Sequence, residues 1–119
     1  MRMLALSLLV AAAVLAGKAA APAAGPQTIT GTDGPGFTIT LKQHGKTVKD
    51  LAPASYAFVI NDDSNIHNFH LIGPGVDKTT SVTAMGKQTW RITLRPGTYR
   101  FVCDPHATLM KGKFIVKAP

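Results

Sequence analysis

Phe37, Ile39 and Leu41 alternate with Thr38, Thr40 and Lys42, and Trp90, Ile92 and Leu94 alternate with Arg91, Thr93 and Arg95. A period of two sends successive side chains to opposite faces, so each run predicts a strand with one face buried and one in water. Tyr56–Ile60, His67–Ile72, Thr98–Cys103 and Lys113–Val116 are further short runs rich in aromatic and β-branched residues, which suit a pleated, half-buried surface. Between the runs stand Gln43–Lys46, Asn61–Asn65, Gly73–Gly75 and Arg95–Gly97, each carrying Gly, Pro, Asn or Asp where the pattern breaks. The spacing predicts an all-β fold, a Greek-key β-sandwich of seven to eight strands.

The first 24 residues follow a different rule. Met1-Arg2-Met3 is short and basic, Leu4–Ala16 is an unbroken apolar run, and Ala19–Ala24 is a small-residue stretch. That succession predicts an export signal over residues 1–24, cleaved between about 21 and 27, and hence a periplasmic or secreted protein. An apolar run this short falls below the roughly 20 residues that span a bilayer, so no stable membrane insertion is expected once the signal is removed. Lys18 stands after Leu15-Ala16-Gly17, where a lipoprotein would need an acylated Cys. Residues 27–119 are then expected to form one domain.

Composition narrows the picture. The 119 residues include 11 Gly and 8 Pro, and all 6 acidic residues are Asp, which leaves little material for charge-paired helices. The net charge of +7 falls to about +5 without Arg2 and Lys18. A basic exported domain suits an anionic protein partner or a membrane surface. Nucleic acid is not an expected partner, because no basic tract is clustered, and Arg91, Arg95 and Arg100 alternate with apolar residues as the wet face of a hairpin would.

A single Cys in an exported chain cannot form an internal disulfide, so Cys103 needs another role. A buried free Cys is often only a small hydrophobe. Here Cys103-Asp104-Pro105-His106-Ala107-Thr108-Leu109-Met110 places a thiol, an imidazole and a thioether in one short loop between two strands. Thiolate with thioether selects copper, since Met is not a usual zinc ligand. His67, upstream in Ile66-His67-Asn68, would complete a trigonal His₂Cys set with Met110 as a weak axial donor. Strand alternation puts His67, Phe69 and Leu71 on the inward face and His70 on the other, so His67 is the expected ligand. His44 lies in a polar turn with no role expected, and Met85 is ambiguous between core and site.

With those residues in view, the chain resembles the cupredoxins, closest to the plastocyanin, pseudoazurin and amicyanin group. Gly97–His106 followed by Met110, Gly112 and Lys113 resembles the family's C-terminal ligand segment, and Phe58–Asn61 through His67-Asn68 resembles the segment holding its first ligand. Three residues separate His106 from Met110, one fewer than in plastocyanin and one more than in amicyanin. The resemblance implies one copper ion cycling between Cu(I) and Cu(II), and a small monomeric electron carrier that is not an enzyme. It also implies transient docking of redox proteins near an exposed edge of His106, with Pro105, Ala107, Leu109, Pro74 and Val76 as the surrounding apolar patch, and hydrogen bonds from Asn68 that steady the ligand loop. Copper storage, delivery or tolerance is the alternative role. A purely structural sandwich would leave Cys103 unligated.

Overall fold

The computed structural model describes residues 25–119 together with Ala12, Ala13 and Gly17; the expected signal and most of its cleavage region lie outside the described residues. Ten strands follow in chain order: β1 Gln27–Asp33, β2 Ile39–Gln43, β3 Lys46–Thr47, β4 Asp50–Leu51, β5 Ala54–Asp62, β6 His70–Gly73, β7 Val76–Thr79, β8 Gly86–Leu94, β9 Gly97–Val102 and β10 Lys111–Val116. They form two five-stranded sheets, ordered β3-β2-β1-β5-β8 and β4-β10-β9-β6-β7. The chain passes from sheet to sheet five times, and both sheets are mixed, because β1 pairs β5 and β4 pairs β10 in parallel.

The alternation that marks the strands is the alternation that buries them. In β5, Tyr56, Phe58, Ile60 and Asp62 are buried while their neighbours are not; β8 repeats this with Trp90, Ile92 and Leu94, and β9 with Tyr99 and Phe101. These faces close on one core, in which Phe69 stacks on Phe101 at 5.7 Å and Tyr99 on Phe114 at 5.1 Å. Gly112 permits this approach, since a Cβ there would run into the Phe101 ring.

The strand count exceeds the seven or eight expected. β3 and β4 are two-residue ladders, while β1 and β7 escaped the pattern. In β1 the buried positions are held by Ile29, Gly31 and Asp33, only one of them a large apolar residue. β7 buries Val76 alone and turns three polar residues outward. Phe37 is corrected as well: it lies in a bend before β2, exposed, instead of opening that strand. His67 and Asn68 precede β6 rather than starting it, but Phe69 and Leu71 point inward and His70 outward as the alternation required.

Candidate metal centre

β9 and the segment before β6 run antiparallel, with His70 opposite Val102, so Cys103 and His67 arrive side by side just beyond the sheet edge. The inward phase of β9 carries on from Tyr99 and Phe101 to Cys103, which is fully buried. Pro105 then starts a 3-10 turn over Asp104–His106. Three backbone bonds coil the loop: His106 N–H donates to Cys103 O (3.0 Å), Met110 N–H to His106 O (2.8 Å), and Cys103 N–H to Met110 O (3.0 Å). Cys103, His106 and Met110 therefore hold one another's backbones before any ion is considered.

The side chains converge. His67 Nδ1 and His106 Nδ1 lie 3.0 Å apart, and each is 3.6 Å from Cys103 Sγ. Among the described residues these three are the group whose donor atoms could share a metal ion. A point equidistant from the three atoms lies about 2.0 Å from each, close to the ~2.0–2.1 Å of a metal–imidazole bond and somewhat inside the ~2.3 Å of a metal–thiolate bond. A thiolate and two imidazoles are too soft for calcium or magnesium and suit copper. Met110, the fourth expected residue, is fully buried and bonded through its backbone to both Cys103 and His106.

Around the centre the surroundings divide sharply. Phe37 packs edge-on against both imidazoles, with centroids 5.2 Å from His67 and 4.9 Å from His106. His106 is half-buried, while Phe37 and Leu109 against it, and Ile66 next to His67, are at least half exposed. Met85 belongs to the same end, since it precedes Gly86, the partner of Asp62 in the β5–β8 ladder. Below His67 the structure is polar: Asp33 and Asp62 sit opposite each other in the β1–β5 ladder, both buried. Neither Asp33 oxygen, nor Asp62 Oδ2, nor His67 Nε2 meets a complementary hydrogen-bonding protein atom. Burial, then the adjoining carboxyl and charge of Asp62, then the charge of Asp63, push Asp33 up to about 8. Protonated, Asp33 becomes a donor toward Asp62, which two carboxylates could not supply to each other.

His67, Cys103 and His106 thus meet as read from the sequence, and His70 stays out: its ring lies between Asp77 and Asp104. The expected apolar patch needs correction. Ala107 and Leu109 are exposed in the loop, but the β6–β7 hairpin carries Pro74 and Val76 away from it, and Pro74 lies against Gly97 at the other end of the sandwich. Phe37 and Ile66 stand in their place. Asn68 does steady the loop, through Asp104: its Oδ1 accepts from Asp104 N–H (2.8 Å) and its Nδ2 donates to Asp104 Oδ2 (2.7 Å). Phe37 and Asp104 are the neighbours that sequence reasoning missed. Phe37 was absorbed into a strand pattern, whereas Asp104, next to Cys103, was a signal in plain view.

Residues 5–116 match the family described as Cupredoxin-like domain. No curated protein matches the chain. Similar solved structures include the copper protein rusticyanin, with a TM-score of 0.57, 19% identity and 76% of each chain covered. Rusticyanin from Thiobacillus ferrooxidans gives 0.56, 24% identity and the same coverage. A chain of a heme-copper terminal oxidase dimer gives 0.50 at 18% identity, covering 78% of this chain and 66% of that one. At such identities the likeness is one of fold.

Proposed function

The chain belongs to the cupredoxin-like family, and from that premise we propose that it is an exported type 1 copper protein that carries single electrons between redox partners. One observation supports this reading above the rest: a thiol and two imidazoles from separate segments converge at a spacing suited to one ion. In this reading His67, Cys103 and His106 would hold the copper, with Met110 as a further, weaker donor. Copper bound there supplies a one-electron couple between Cu(I) and Cu(II).

The chain's own residues do the remainder. The backbone bonds among Cys103, His106 and Met110, with the Asn68–Asp104 pair, hold the donors in one arrangement for both oxidation states, so little nuclear movement opposes electron exchange. The fully buried Cys103 keeps water from the sulfur. His106 is the least buried of the four donor residues, against exposed Phe37 and Leu109, with exposed Ile66 next to His67 in the chain. Exposed apolar residues gathered at one end suit brief docking of a redox protein there. The basic, apolar leader is the ground for placing the protein in the periplasm or outside the cell. Among the described residues no helix is long and apolar enough to cross a membrane.

Absorption spectroscopy and voltammetry of the copper-loaded protein test the proposal. A strong visible thiolate-to-Cu(II) charge-transfer band with a reversible one-electron couple is expected. A weak band with rapid loss of metal to a chelator would point to copper handling instead, and no band at all would overturn the copper reading.

A further inference from the structure

His70 points away from the metal donors, yet both of its ring nitrogens are engaged by carboxylates. Its Nε2 lies 2.6 Å from Asp77 Oδ1, and its Nδ1 lies 2.9 and 3.0 Å from the two oxygens of Asp104. A carboxylate can only accept, so both ring nitrogens must carry hydrogen and the ring is an imidazolium. Burial disfavours that charge, but the hydrogen bonds of Asp104 and then Asp77 outweigh it and raise the His70 pKa. Asp104 is the shared acceptor of this network: both of its carboxylate oxygens face His70 Nδ1, and Oδ2 also accepts from Asn68 Nδ2. Thr79 and Val102 stand opposite His70 on the flanking strands, and neither carries charge.

The chain of bonds does not stop at Asp104. Asp104 directly follows Cys103, and Asn68 directly follows His67. These two neighbours of the ligands are joined twice, and Asn68 Nδ2 also donates to Thr79 Oγ1 on β7 (2.9 Å). Asp77 and Thr79 thus tie β7 to both ligand segments, with His70 as the only cation in the assembly.

We propose that His70 is the positioning residue of the metal centre: it holds Asp104, and through it the Cys103 and His67 backbones, and it cancels the Asp104 charge beside the thiolate. The charge part of this rests on the copper reading. An uncompensated carboxylate close to the ion favours Cu(II) over Cu(I), so loss of the imidazolium lowers the potential. The mechanical part does not need the metal.

The test is His70→Gln, Asp104→Asn and the pair combined, each read twice. In the copper-loaded proteins, His70→Gln is expected to keep the visible band and lower the reduction potential, Asp104→Asn to raise it, and the drop to vanish when His70→Gln is added to Asp104→Asn. In the metal-free proteins, amide hydrogen exchange over Cys103–Met110 is expected to quicken by about tenfold in His70→Gln. A potential and loop exchange that are both unchanged in His70→Gln would overturn the proposal, as would a drop that persists undiminished beside Asp104→Asn. If His70→Gln does not fold, Asp104→Asn alone decides, since an unchanged potential and unchanged exchange there would equally overturn it. Absence of a visible band from the parent protein would defeat the copper reading, whereas the metal-free exchange would still report on His70.

Discussion

The two ends of the sandwich are built on opposite terms. At the end with the Arg95–Gly97 turn, the Tyr99 hydroxyl sits 3.1 Å from Arg95 N and 2.9 Å from Arg95 O, closing the corner between β8 and β9. Pro74 packs against Gly97 below it. At the other end, Asp33, Asp62 and His67 are buried polar side chains, and large apolar side chains face water. Burying polar groups costs desolvation that apolar side chains avoid, so their gathering at the end that holds His67, Cys103 and His106 trades stability for chemistry. The closed end holds the sheets in register; the open end presents chemistry.

That contrast can be broken most completely at Cys103. Cys103→Ser is expected to abolish the visible charge-transfer band of the copper-loaded protein while shifting its thermal midpoint little, because the core cluster is assembled from other residues. A retained band in the spectrum would show that the sulfur is not a ligand.

Next in size is the docking surface. Leu109→Asp, at an exposed loop position, is expected to slow electron exchange with a redox protein by about tenfold by putting charge into an apolar contact. Arg95→Glu, at the closed end, serves as the control and should leave the rate nearly unchanged. Stopped-flow kinetics distinguishes them, and a larger effect of Arg95→Glu would move the docking surface to the other end.

A smaller effect is expected from Tyr99→Phe, which strips the closed end of its hydroxyl. Leaving the Arg95 backbone groups short of a partner costs about 1–3 kcal/mol. Denaturant unfolding should register the loss, with the copper spectrum unaltered. A changed spectrum would mean that the two ends are coupled.

An effect that depends on pH, and is smallest in acid, is expected from Asp33→Asn. Because Asp33 titrates near 8 in the folded chain against 3.8 ordinarily, the folded state holds a proton that the unfolded state has released between those values. Stability therefore falls as pH rises from about 4 to about 8 and then levels. An amide at this position mimics the neutral carboxyl, so the Asp33→Asn protein should melt higher than the parent at pH 8 and show a flatter pH dependence. Thermal melts across pH 4–9 check this, and an unaltered pH profile would place the titration elsewhere.

Whatever depends on short-range order could be read directly from the chain. Alternation in Tyr56–Ile60, Trp90–Leu94 and Thr98–Cys103 marked the strands and their inward faces, because side-chain direction in a strand has a period of two. The Cys103–His106 spacing and the phase through Phe69 and Leu71, which favoured His67 over His70, pointed to the three side chains that converge. The rest emerged only when the sheets were assembled. β1 lacked an apolar stripe, since its buried positions hold Gly31 and Asp33, and it exists because β2 and β5 flank it. Phe37 reached the imidazoles only through the bend before β2, and Pro74 and Val76 left the patch because the β6–β7 hairpin runs the other way. The clamp of Asp77, His70 and Asp104 joins residues 7 and 34 positions apart, and the burial of Asp33 against Asp62 joins two strands through a parallel pairing. Such contacts carry no local period, because they depend on which sheet and which end each strand reaches.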